Sequence, residues 1–143
     1  MYAALEGKTS GAIRGNISNA SHPSQSMFLA SLQSGTHQVE KDRNREIIRE
    51  RYLRVKEVLE AHPEYGDYFE ALPFNSGYFM CIRLKRVSAE KLRVHLLEKY
   101  GVGLIAIGDT NLRIAFSCLE EGEIPELFNI ILQGIQDIEG YES

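Results

Sequence analysis

Arg113 lies in the stretch Asn111-Leu-Arg-Ile-Ala-Phe-Ser117, where Leu112, Ile114 and Phe116 alternate with Arg113, Ala115 and Ser117. A period of two predicts a strand with one buried face and Arg113 on the other, beside two small residues. An arginine on rigid backbone suits a carboxylate or a phosphate, because its planar fork donates two parallel hydrogen bonds. Spacing alone leaves two readings open. Arg113 is either such a clamp or an ordinary arginine on a solvated strand face.

The other reactive residue types make no comparable pattern. His22, His37, His62 and His95 are scattered, and none has a metal-type partner at helical spacing. Cys81 and Cys118 lack metal spacing and fall inside apolar runs, so both are expected as reduced core thiols. Gly101-Val-Gly-Leu-Ile-Ala106 fits the glycine pattern of a dinucleotide site. Such a site needs strand, glycines, helix in that order, and here the order is helix, glycines, strand. Ser88-Ala-Glu-Lys91 fits a serine acyltransferase motif, but a helix cap followed by a solvent-facing lysine explains it, and the companion motifs are absent. Asn16-Ile-Ser18 and Asn19-Ala-Ser21 match the glycosylation sequon, which has no consequence without secretion.

The chain has 143 residues, 43% hydrophobic and 25% charged, enough for one soluble globular core. A net charge of −4 argues against a nucleic-acid binder with a basic face. No apolar run reaches membrane-spanning length and no signal peptide is visible, so a cytoplasmic protein is expected. Arg43, Arg45, Arg49, Arg51 and Arg54 interleave with Glu40, Asp42, Glu46, Glu50 and Glu57, which reads as a solvated helix laced with ion pairs such as Glu50–Arg54.

The elements that must position Arg113 follow in order. Residues 2–8 read as the tail of a helix broken at Gly7, and residues 9–21 as an extended loop with too few apolar residues to order itself without a partner surface. A helix starts at Ser21 or His22, with Pro23 in its first turn and Met27, Phe28, Leu29 and Leu32 as its apolar face. A long helix over 39–61 carries Ile48, Tyr52, Val55 and Leu59 at helical spacing and stops at His62-Pro63. Residues 68–72 read as a short strand, 73–77 as a turn and 78–84 as a strong strand. Ser88 caps a helix with Leu92, Leu96 and Leu97 inward, ended at Gly101. Residues 102–107 read as a buried strand or hairpin arm. The final helix opens near Glu123, and Ile124, Leu127, Phe128, Ile131, Ile135 and Ile138 form its core stripe. The expected fold is α+β: a small mixed or antiparallel sheet covered by helices and preceded by a long connecting helix. Residues 1–38 read as a connector and 39–143 as the domain proper.

Taken together, the long helix, Pro73…Ser76-Gly-Tyr78-Phe79, the Gly-Val-Gly-Leu-Ile strand, Asn-Leu-Arg-Ile-Ala-Phe-Ser and the final amphipathic helix resemble the C-terminal domain of pyridoxal-phosphate-dependent aminotransferases of the aspartate aminotransferase (fold type I) superfamily. Ile13-Arg-Gly-Asn-Ile-Ser-Asn19 with Pro23-Ser-Gln25 resembles the segment of that family that crosses to the neighbouring subunit's active site. The resemblance implies that Arg113 binds the substrate α-carboxylate. It implies that Arg14 binds a distal carboxylate in the partner's site, and that Ser18, Asn19, Ser76 and Tyr78 line a site. It further implies a homodimer that moves an amino group between an amino acid, aspartate or another dicarboxylate, and a 2-oxo acid. No metal is implied.

The family's Schiff-base lysine and phosphate-binding turn would lie upstream. Lys8-Thr-Ser-Gly-Ala-Ile-Arg14 nearly fits the lysine signature, but Leu5 and Glu6 replace its preceding small residues and Asn16 replaces its later arginine. The chain therefore reads as a C-terminal piece of a longer enzyme, inactive by itself and holding no cofactor. A lyase, decarboxylase or synthase on the same scaffold would use Arg113 equally well, and a stand-alone binding module is the alternative from another class.

Overall fold

The final helix, α5 (Ile124–Glu142), shows why this sequence closes a core. Ile124, Leu127, Phe128, Ile131, Ile135 and Ile138 are all buried along one stripe, each worth roughly 1.5–3 kcal/mol when fully removed from water. In the computed structural model the described residues are 2–16 and 21–142, Glu142 by its backbone alone. They divide into two compact units, residues 1–42 and 43–143.

The first unit holds α1 (Tyr2–Asn16), α2 (His22–Gln33) and the start of α3 (His37–Ala61). Residues 9–16, expected as extended loop, are helical, and α1 has no buried residue. An apolar period marks burial, and a helix that buries nothing leaves no such period in its sequence. Its backbone groups are satisfied within the helix itself. Met27, Phe28 and Leu29 of α2 are 74%, 63% and 54% exposed, so the apolar face expected there is present but uncovered.

The second unit is an antiparallel sheet of β1 (Phe69–Ala71), β2 (Met80–Leu84), β3 (Ile105–Ile107) and β4 (Asn111–Ile114) in the order β1-β2-β4-β3. This is the α+β architecture expected. One face carries Phe69, Met80, Ile82, Leu84, Leu112 and Ile114 into a core shared with α4 (Ala89–Tyr100), α5 and, from α3, Val55 and Val58. α4 begins after Ser88, whose carbonyl accepts from Leu92 N while its hydroxyl donates to Asp109 Oδ1 at 2.9 Å. It ends at Gly101, which takes the left-handed conformation (φ 69°) and donates back to Leu96 and Leu97, the role glycine fills without a Cβ clash. Gly134 lets α4 and α5 approach closely: a Cβ there would lie 2.7 Å from Leu96 Cδ2 and 3.1 Å from Leu92 Cδ1.

Several finer expectations shift. β2 starts at Met80 rather than Tyr78, and β4 ends at Ile114 rather than Ser117. Beyond Ile114 the chain leaves the ladder: Cys118 N bonds to Ala115 O at 3.0 Å, closing a short turn. Residues 102–107, expected as buried, supply only the three-residue edge strand β3, with Ile105 49% and Ile107 44% exposed on the face opposite the helices. Leu97 is half exposed because the α4 stripe runs through Ala89, Leu92 and Leu96. Cys81 is only half-buried, because Met80 and Ile82 on either side take the core face of β2, and Cys118 is exposed after the turn. On α3, Arg54 pairs with Glu57 and Arg49 with Glu46, in place of Glu50–Arg54. No described helix is long and apolar enough to cross a membrane.

Candidate functional site

Period-two alternation along β4 places Leu112 and Ile114 in the core and Arg113 on the face the helices leave open. In the ladder Arg113 is opposed by Cys81 on β2 and by Ile105 on β3. Its Cζ lies 4.6 Å from the centroid of the Phe79 ring. No carboxylate among the described residues is within ion-pair reach of Arg113. Asn111, two residues earlier on the same face, has a buried Oδ1 without a hydrogen-bond partner.

The segment joining β1 to β2 brings Phe79 to this arginine. Asn75 Oδ1 accepts from Gly77 N at 3.1 Å and tightens the turn. Phe74 anchors the loop by edge contacts with Tyr52 and Phe116, at 5.4 and 6.2 Å between centroids. Tyr78 and Phe79 meet edge to face at 6.3 Å, and the Tyr78 carbonyl accepts from Ser117 N at 3.4 Å. On the other side Arg51, its side chain only 16% exposed, donates to the Ser117 carbonyl and reaches Glu120 Oε1 at 3.3 Å. Ser117, four residues beyond Arg113, is thereby tied through both its N–H and its carbonyl.

Of the residues expected to form a site, Arg113 lies on the open sheet face against Phe79, the residue that follows Tyr78 in the loop before β2. Ser76 and Tyr78 are exposed. Arg14 lies on α1 in the other unit, and Ser18 and Asn19 fall outside the described residues. Sequence reasoning missed Phe79, Ile105 and Arg51 as neighbours of the site. The Cys81, Ile105 and Arg113 face could have been found by carrying the alternation of Met80 and Ile82 across the ladder. Arg51 carried no signal, being one of five arginines in a charged helix.

An aldehyde such as that of pyridoxal phosphate would need a lysine amine beside Arg113. No strand of the sheet carries a lysine. Lys85 donates to the Gly66 carbonyl, Lys99 to Asp137, and Lys56 sits over the Tyr52 ring, so these three are engaged elsewhere.

A dense titratable cluster lies elsewhere, between α4 and α5. Asp137 Oδ2 accepts from Lys99 Nζ at 2.7 Å and Tyr100 OH at 2.7 Å, with His95 Nε2 at 2.9 Å. The Lys99 ammonium, with His95 and Tyr100, holds the Asp137 carboxyl well below the usual range, and the shared carboxylate raises both Lys99 and Tyr100. This cluster staples two helices. No group of described His, Cys, Asp and Glu residues could hold a metal ion.

The fold is shared with known proteins. The structure is similar to that of LysN, α-aminoadipate aminotransferase from Thermus thermophilus, complexed with N-(5'-phosphopyridoxyl)-L-leucine (TM-score 0.78, 21% identity, 97% of this chain and 37% of that one). It is also similar to an aminotransferase from Anaerococcus prevotii (TM-score 0.73, 19% identity, 91% and 30%). The chain thus spans about a third of the length of these proteins. No curated protein sequence matches it. The family model for aminotransferase class I and II matches residues 6–131, and the chain belongs to that family.

Proposed function

We propose that the chain is the C-terminal part of a pyridoxal-phosphate-dependent aminotransferase, in which it binds the substrate α-carboxylate through Arg113 and closes the active site. One observation carries this reading: Arg113 stands on an open sheet face with no acidic neighbour among the described residues, held at 4.6 Å from an aromatic ring. Its in-plane donors are left for a ligand. Bidentate contact would fix the amino acid and align its α-C–H bond for proton removal. In a closed, dry site that ion pair is far stronger than at a surface. The cofactor of this family supplies the electron sink for the reaction and would be held by residues of the parent enzyme outside this chain. By itself the chain is inactive. Residues 9–21, with Arg14, Ser18 and Asn19, belong to the segment that reaches the partner subunit's site in a homodimer. A dicarboxylate such as aspartate is the expected substrate class; the α-aminoadipate named for LysN also carries two carboxylates.

The test is Arg113→Lys in the parent enzyme. Lysine keeps the charge and loses the fork, so KM should rise and kcat fall for every amino-acid substrate, with kcat/KM down roughly tenfold to a hundredfold. Unchanged kinetics would remove the carboxylate role.

A further inference from the structure

An arginine that must hold a carboxylate ligand faces a conflict. A carboxylate partner would keep it in place but occupy the donors the ligand needs, and an unpartnered side chain would sample many rotamers, losing entropy on binding. The open sheet face resolves this with Phe79. The Arg113 Cζ sits 4.6 Å from the Phe79 ring centroid, within the distance at which a cation is attracted to a ring face. A ring attracts the guanidinium without accepting its in-plane N–H donors.

Phe79 is itself placed for this. It precedes Met80, which is buried and paired with Ile114, so the start of β2 is fixed one residue away. Tyr78 meets the Phe79 ring edge to face, and the Tyr78 carbonyl is bonded to Ser117 N. Phe79 is 48% exposed and lies outside the buried core cluster, so the ring is left to face Arg113 rather than the core of this chain.

We propose that Phe79 is a positioning residue: its ring holds the Arg113 guanidinium ready for a carboxylate while leaving the fork's donors free. This rests on the carboxylate role of Arg113 given above.

The first measurement uses the 143-residue chain with arginine side chains labelled with nitrogen-15, the Arg113 Nε–Hε signal being assigned by its loss in Arg113→Lys. That signal should carry a ring-current shift and a high order parameter. Phe79→Leu should abolish the shift and lower the order parameter, and Phe79→Tyr should keep both, with the backbone amides of Met80, Leu112 and Ile114 unmoved in each. An equally ordered Arg113 in Phe79→Leu overturns the proposal. So does collapse of the sheet in that variant, which would make Phe79 a packing residue. The second measurement is in the parent enzyme. There Phe79→Leu should raise KM for amino acid and 2-oxo acid alike by roughly two- to fivefold, with kcat nearly unchanged, and Phe79→Tyr should restore it. If Arg113→Lys cripples the enzyme and Phe79→Leu leaves KM alone, only the Phe79 proposal falls. If Arg113→Lys does nothing, the carboxylate reading falls whatever the first measurement shows.

Discussion

Cys81 stands directly across from Arg113 in the β2–β4 register, on the face the helices leave uncovered. Cys118 lies beyond the end of β4, exposed beside an apolar groove of about 390 Å³ lined by residues such as Val102, Leu104 and Leu127. Both thiols are free. Cys118 is therefore expected to alkylate first, and the half-buried Cys81 several-fold more slowly, since thiol modification follows exposure. Timed alkylation read by peptide mass spectrometry checks the order. A disulfide in freshly purified protein, or Cys81 reacting first, would contradict it.

The Asp137 cluster should make the α4–α5 contact acid-sensitive. Asp137 has a folded-state pKa below its ordinary 3.8, so the unfolded chain binds its proton more readily. Its stabilisation is complete above the ordinary carboxylate range and is lost as pH falls through that range toward the folded value. Asp137→Asn should cost roughly 1–2 kcal/mol near neutral pH, a modest figure because the Lys99 side chain is 45% exposed. The gap in Tm between the native chain and the variant should narrow as pH drops below about 4. A constant gap across that window would mean the carboxylate's charge is irrelevant there.

Gly134 sets the distance between α4 and α5. A valine would drive its methyl groups into Leu92 and Leu96, which are both fully buried and have little room to shift. Gly134→Val should destabilise the chain by about 1–3 kcal/mol. Gly134→Ala should cost less, because better helix propensity, worth up to about 1 kcal/mol, offsets part of the clash. Chemical denaturation of the three proteins gives the ranking, and Val above Gly in stability would show that the helices separate easily.

Much of this architecture was legible because burial leaves a period. Ile124 to Ile138 marked the face of α5, and Leu112 and Ile114 marked the inner face of β4, so the alternation alone put Arg113 on the outer face. What was hidden follows from the same cause. α1 buries nothing, so residues 9–16 carried no helical period to find. The contact of Phe79 with Arg113 crosses between strands, and nothing in either local sequence encodes it. Cys81 misleads because its apolar run suggests burial throughout, whereas an antiparallel sheet with helices on one side buries alternate residues only.

Arg14 supplies the last prediction. It lies on α1 and is exposed, and its proposed partner is the second carboxylate of a substrate bound in the neighbouring subunit. If so, Arg14→Ala in the parent enzyme should act by substrate. A charged hydrogen bond lost from a desolvated site costs about 1.5–3 kcal/mol, so kcat/KM for aspartate or another dicarboxylate should fall roughly tenfold to a hundredfold. A neutral amino acid never makes that contact, and its kcat/KM should stay within about twofold. Arg113→Lys, by contrast, should penalise both substrates, because every amino acid carries an α-carboxylate. Steady-state kinetics with the two substrates and the two variants separate the roles. Equal losses for both substrates on Arg14→Ala would leave Arg14 a structural residue and remove the ground for a dicarboxylate preference, while the role of Arg113 would stand on its own result.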